Sequence, residues 1–359
     1  MNKYLCIVII LLPLFLTGCL KQKILDDVQL ATAAGFELGD DENTLIATAV
    51  VPIYKPDLAV INKTYTSSST LSKIIRDQLN RKSPKPFVSG KIEVALYDKK
   101  LAAKGIHEIV DTFRRDPSTG ANMFLAVVDG DLKKHLQIQY GETDNGMYLS
   151  NLIEHNIESG ILPKTNLHLF TKNYHEEGRD PILPFLKMDD KEAIIQGIAL
   201  FKEDKYIDYI KGEDNYIFMF INEKFTSDAT LTVSLGEEGI FASVFHVHST
   251  RKYKVKNAET NPEISLTVKA EAIIQEYSGQ ELTSEIKEEI EKKMEEDIKF
   301  KAERLIGQFQ ELNIDPLGIG FQVRHRSRKW DLKKWEDLYP NIPIEVNAAI
   351  KISEAGVTN

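Results

Sequence analysis

Cysteine is almost missing from this chain: of 359 residues only Cys6 and Cys19 carry a thiol. Everything after Cys19 must therefore fold on buried apolar surface, without disulfides or thiolate metal sites. Long apolar runs are scarce as well. The one run of note, residues 5–16, is interrupted by Pro13 and falls short of the ~20 residues that a spanning helix needs. A surplus of positive charge is lacking too. The net charge of -9 argues against a general nucleic-acid partner. No phosphate loop, nucleophile elbow or His-Glu-x-x-His helix occurs, and Gly318-Ile319-Gly320 lacks the third glycine and the lysine of a phosphate-binding turn. Carboxylate pairs such as Asp189-Asp190 and Glu288-Glu289 read as solvated faces. No enzyme activity and no cofactor are expected.

What is present begins at the N-terminus. Lys3, the apolar run and then Leu16-Thr17-Gly18-Cys19 make a secretory signal, residues 1–18, removed by cleavage. Small residues before the cut fit a peptidase groove, and the thiol after it is a nucleophile for a diacylglycerol. Cys19 is accordingly the expected lipidation site, with residues 19–24 as a polar tether and the membrane reached on its outer face through lipid alone. The competing reading is an ordinary signal peptide with an incidental cysteine.

With 42% hydrophobic and 28% charged residues, the chain can build two or three ordinary compact domains. Segments 28–36 and 45–54 read as strands, and Leu71, Ile74, Ile75 and Leu79 fall at helical spacing. A strand at 91–97, a helix at 99–115 and a buried strand at 122–128 predict a crossover with parallel strands. Helical pieces follow near 147–159 and 166–174. The hairpin at 193–210 turns at Lys202-Glu203-Asp204-Lys205, and long alternating segments follow at 231–235, 241–247 and 263–277. Thr283 is the expected N-cap of the longest helix, whose stripe runs from Ile286 through Ile290, Met294, Ile298, Ala302, Leu305 and Phe309 to Leu312. The expected fold is mixed, α+β or α/β, in three domains, each a sheet with flanking helices: 25–190, a small central 191–226, and 227–359 with the long helix on an antiparallel sheet.

Three constellations carry candidate roles. His246 and His248, two apart on a strand, share a face; a third metal ligand is not evident, and no metal is expected. Gly318 and Gly320 read as a structural turn that a Cβ would not allow, next to Trp330 and Trp335 as apolar anchors. Arg324, Arg326 and Arg328 would share a face in an extended segment. Two readings stand for them: a surface for a partner or anionic headgroups, or pairing with the acidic flank 288–297 of the long helix.

The C-terminal residues Asp315-Pro316-Leu317-Gly318-Ile319-Gly320-Phe321, Trp330, Trp335, Tyr339-Pro340, Ile344-Glu345-Val346-Asn347 and Gly356 resemble the Ger(x)C family, the C subunit of the germinant receptors of Bacillus-type spores. Gln196-Gly197-Ile198-Ala199-Leu200-Phe201-Lys202 resembles that family's Gly-x-Ala-x-Phe-Lys signature, and Cys19 fits its lipoprotein start. Two positions depart from the pattern: Leu20 where the family has Trp, and Asp208 where it has Gly. The resemblance implies a three-domain mixed α/β protein without enzymatic activity, at the spore inner membrane, assembled with two integral membrane subunits. A lipid-anchored solute-binding protein that captures a small nutrient is the alternative; a surface hydrolase is a third. Solute capture would need a deep cleft between domains.

Overall fold

The computed structural model describes residues 27–56, 59–70, 72–188, 192–212, 214–228, 230–236 and 239–354. The signal 1–18, Cys19, the tether 19–24 and Gly356 lie outside the described residues.

The first half is one eight-stranded sheet with helices on its faces. In chain order its elements are β1 (Gln29–Leu30), β2 (Ala33–Leu38), β3 (Leu45–Tyr54), β4 (Val60–Ser69), α1 (Ser72–Lys82), β5 (Phe87–Val88), β6 (Val94–Asp98), α2 (Lys99–Lys104), α3 (His107–Arg115) and β7 (Phe124–Asp129). Then come α4 (Leu132–Gln137), α5 (Asn145–Glu158), α6 (Leu167–His175), β8 (Ile182–Met188), β9 (Ala193–Lys202) and β10 (Lys205–Lys211). The order across the sheet is β10-β9-β8-β7-β6-β2-β3-β4, while β1 and β5 form a separate two-stranded sheet. Its centre, β2, β6, β7 and β8, is parallel, so the expected crossover is present. Its flanks are antiparallel. The helix expected over 99–115 is two helices, because Gly105 takes φ 121 and the chain then docks on the distant turn, with Ile106 N–H donating to Asp204 O (3.1 Å) and His107 N–H to Asp204 Oδ2 (3.0 Å).

The stretch 191–226, expected as a small central domain, is shared between the two halves. Its hairpin is the edge of the first sheet, with β9 paired to β8 from Met188↔Ala193 to Ile182↔Leu200. Beyond the hairpin come α7 (Asp214–Asn222), almost wholly buried in the core of the second half, and Phe225 and Thr226, which open that half's sheet.

That second half is a five-stranded sheet made of β11 (Phe225–Ser227), β12 (Leu231–Leu235), β13 (Ile240–Lys256), β14 (Glu263–Tyr277) and β15 (Ile344–Glu354). Between β14 and β15 run α8 (Ser284–Glu311), α9 (Ile319–Arg324) and α10 (Leu332–Leu338). The Thr283 side chain accepts from Ile286 N and caps α8 as expected. Ile290, Met294, Ile298, Ala302, Leu305 and Phe309 bury one stripe of α8 against the sheet, whereas Leu312 is exposed. The sheet is not antiparallel throughout, since β15 lies parallel to β14 and α8 is part of the connection between them.

The acidic flank of α8 has a structural use. Glu291, Glu295 and Glu303 accept the N–H groups of Ile352 (2.7 Å), Ile350 (2.9 Å) and Val346 (3.4 Å). They cover the outer edge of β15, a row of donors that would otherwise invite another strand. The apolar core of this half includes Ile198, Leu200 and Ile210 of the β9–β10 hairpin, which therefore belongs to the first half by hydrogen bonds and to the second by packing.

Candidate functional site

The family-like segment after α8 meets the first half at a buried polar junction. Asn313 (φ 50) turns the chain out of the helix, Ile314 and Leu317 are buried, and Gly318 stands at φ 67 just ahead of α9. Asp315, 4% exposed, accepts Ile319 N–H (2.9 Å) through Oδ1 and Gly320 N–H (2.7 Å) through Oδ2. Those amides open a helix and have no partner within it, so the carboxylate supplies what the helix cannot.

Asp180, just ahead of β8, answers from the other side. Its N–H donates to Asp315 O (2.9 Å), its Oδ2 accepts Asp315 N–H (2.7 Å) and its Oδ1 accepts Glu203 N–H (3.0 Å). Arg179 Nη2 donates to Leu317 O (3.0 Å), and Phe321 N–H to Gly178 O (2.8 Å). Lys202 Nζ lies 3.7 Å from both Asp180 Oδ2 and Glu336 Oε1. Backbone and side chain thus stitch 178–180 to 315–321.

Gly178 and Gly320 make that approach possible. A Cβ on Gly320 would stand 2.5 Å from Trp335 Nε1 and 2.8 Å from Gly178 Cα; one on Gly178 would stand 2.6 Å from Gly320 C. Trp335 packs on Tyr339 and Trp330, with centroids 5.3 and 5.9 Å away, and Trp330 Nε1–H donates to Glu177 Oε2 (2.7 Å). A cavity of about 130 Å³ remains among Arg179, Asp180, Lys202, Asp315, Trp335 and Tyr339.

Burial dominates the electrostatics. It pushes the Asp315 carboxyl up to about 7, the amides of Gly320 and Ile319 pulling the other way and Asp180 adding to the rise. Burial also raises Asp180, against the pull of Lys202. The Tyr339 hydroxyl, with no hydrogen-bond partner among the described residues, is raised well above its ordinary value by burial.

The remaining sequence candidates fall elsewhere. Arg324, Arg326 and Arg328 are exposed but do not form a strand: Arg324 ends α9 and the other two lie in the turns beyond it. Nor do the partners found for them lie on the acidic flank of α8. Arg324 Nε is 3.9 Å from Glu177 Oε2, Arg326 Nη1 donates to Gln322 O (2.8 Å), and Arg328 N–H donates to Glu259 Oε1 (3.4 Å). His246 sits in a bulge of β13 at φ 50, beside Asp228 Oδ1 (2.8 Å), whereas His248 Nδ1 bonds Thr226 Oγ1 (2.9 Å). The regular strand on which both rings share a face is interrupted there. Among the described residues no three His, Cys, Asp or Glu side chains are grouped to hold a metal ion. Gly178, Arg179 and Asp180 were invisible to pattern reading, since Glu176-Glu177-Gly178-Arg179-Asp180 has the look of any charged loop.

Gly318→Ala is expected to cost about 1–3 kcal/mol, since a Cβ at φ 67 is strained and this one would also press on Arg179. A urea titration of both proteins at one pH checks this.

The fold and junction define a mixed α+β protein of two sheet-built halves, tied together by groups committed to one another. Residues 21–188 match the family described as the spore germination protein N-terminal domain, and 196–356 the spore germination B3/GerAC-like C-terminal domain. The spore germination protein GerQC of Bacillus cereus is 30% identical over 355 residues, covering 98% of this chain and 99% of that protein. The putative spore germination protein YfkR of Bacillus subtilis (strain 168) is 21% identical over 384 residues, covering 99% and 97%. The crystal structure of the GerBC protein superposes with a TM-score of 0.55 at 15% identity, over 90% of this chain and 99% of that one, and so shares the fold. The chain belongs to the Ger(x)C family of spore germination proteins.

Proposed function

We propose that this chain is the lipid-anchored, non-enzymatic subunit of a spore nutrient germinant receptor, held by Cys19 on the outer face of the spore inner membrane and assembled with two integral membrane subunits. The observation that carries this reading is the end-to-end relation to GerQC, together with a Leu-Thr-Gly-Cys start. Among the described residues no helix is long and apolar enough to cross a membrane. Capture of a solute between the halves fits less well. Such sites run to roughly 300–1,000 Å³. The junction cavity holds about 130 Å³ and is bordered by groups bonded across it.

Fractionation tests the anchor. Each buried methylene of an acyl chain contributes ~0.8 kcal/mol of membrane affinity, so Cys19→Ala is expected to move the folded protein from the membrane to the soluble fraction. Retention of the variant in cells that lack the partner subunits would count against lipid anchoring. Purification of the wild-type chain from spore membranes is expected to bring down two polytopic proteins, and its recovery alone under mild detergent would count against the assembly.

A further inference from the structure

Away from the junction, the first half contains a second cavity of about 120 Å³, between α1, α3 and the sheet. Its floor is four alanines, Ala31, Ala34, Ala47 and Ala49, and its walls include Phe36, Ile75, Leu79, Phe87, Ile109 and Phe113. The cavity lies on the seam between two apolar cores, one holding Ala34, Ile109 and Phe113, the other Ala31, Ala47, Ala49, Ile75, Leu79 and Phe87. A gap between packed cores forgoes contacts that larger side chains on the floor would supply. Four small residues at one spot keep it open instead.

The polar groups along the cavity are already engaged. Thr112 Oγ1 donates to Glu108 O (2.9 Å) and Thr48 Oγ1 pairs with Thr66 Oγ1 (3.0 Å). The lining is mainly hydrocarbon, with Ala31, Ala34, Ala47 and Ala49 facing Ile75, Leu79 and Phe113, and so favours an apolar guest over a sugar-like one. The half-exposed Arg76 Nη1 is 2.9 Å from Asp116 Oδ2, so charge is confined to the border of the cavity. A dry apolar cavity of ~150 Å³ accepts benzene, which sets the scale of the guest.

We infer that this cavity is a binding site for a small molecule with an apolar body, one aromatic ring or a short branched chain, and a single polar end directed to the Arg76–Asp116 pair. The site stands apart from the junction and does not depend on the anchoring by Cys19.

The test uses the full chain in phospholipid nanodiscs with ¹³C-labelled alanine methyls, which places reporters on the cavity floor. Benzyl alcohol and 3-methyl-1-butanol are the probes and glycerol is the polar control. Saturable shifts at the methyls of Ala31, Ala34, Ala47 and Ala49 are expected with both alcohols and none with glycerol. Ala49→Leu, which fills the floor, is expected to weaken the alcohols at least about tenfold. Ala47→Val is a smaller filling to run in parallel. If the wild-type methyls show no saturable shift at millimolar probe, the cavity is a packing defect and the inference is wrong. Equal affinity in a folded, filled variant would overturn it as well.

Discussion

Gly197→Ala is expected to lower stability by more than about 4 kcal/mol, a range that few mechanisms reach, overpacking against a fixed backbone among them. Gly197 lies opposite Lys211 in the β9–β10 hairpin, and a Cβ there would overlap the carbonyl oxygen of Ile210. That oxygen is backbone, so no rotamer relieves the collision; the two strands must part. The damage would spread, because β9 also pairs with β8, and Ile198, Leu200 and Ile210 sit in the core of the other half. Gly307→Ala is the matched control. It lies in α8 with nothing within 4 Å of its added Cβ, so alanine is expected to stabilise by about 0.5–1 kcal/mol. Urea midpoints of the two variants should move in opposite directions, and a loss of less than about 1 kcal/mol for Gly197→Ala would show that the hairpin can open there at little cost.

The same hairpin shows how far the chain could be read without coordinates. Its alternating apolar residues and charged turn placed both strands, and the 28-residue α8 was legible from its stripe and Thr283. Those elements bury one face each, which leaves a period in the sequence. Elements without that period were missed. β4 is VINKTYTSSS, largely polar in an edge strand, and α7 is buried nearly all round, so neither shows an apolar face against a polar one. β8 carries Pro184 inside an interior strand, a residue that argues against such a place. For the site, the glycines and tryptophans near residue 320 could be singled out by type. Their partners, Gly178 and Asp180, could not, since Asp180 meets Asp315 across 135 positions of chain and nothing local marks either end of that pair.

The Asp180–Asp315 pair should also make stability depend on pH in the sense opposite to ordinary surface carboxylates. Asp315 titrates near 3.8 when solvated and near 7 in the fold, so between those values the native state holds a proton that the unfolded chain has released. A raised acid of this kind contributes stability that is fully present below about 3.8 and lost as pH rises through about 7, where a buried charge must be carried. Asp180 is raised as well, by burial, so its titration adds to the fall in the same sense. The wild-type urea midpoint should therefore fall between pH 5 and pH 8, whereas paired carboxylates such as Asp111, held low by Arg114 and Arg115, act only in more acidic solution. Asp315→Asn keeps the size and one acceptor but cannot ionise, so its midpoint should fall less than that of the wild type across that window, Asp180 alone being left to titrate. Asp315→Ala removes both acceptors. It leaves the amides of Ile319 and Gly320 buried and unpaired at about 1–3 kcal/mol each. The alanine variant should consequently be the weaker of the two at every pH, with α9 and the contact of Gly320 on Gly178 the first parts to loosen in hydrogen exchange. If wild type and Asp315→Asn keep a constant difference from pH 5 to pH 8, the carboxylate is already ionised in the fold. The junction would then rest on a buried charge held by its two amides.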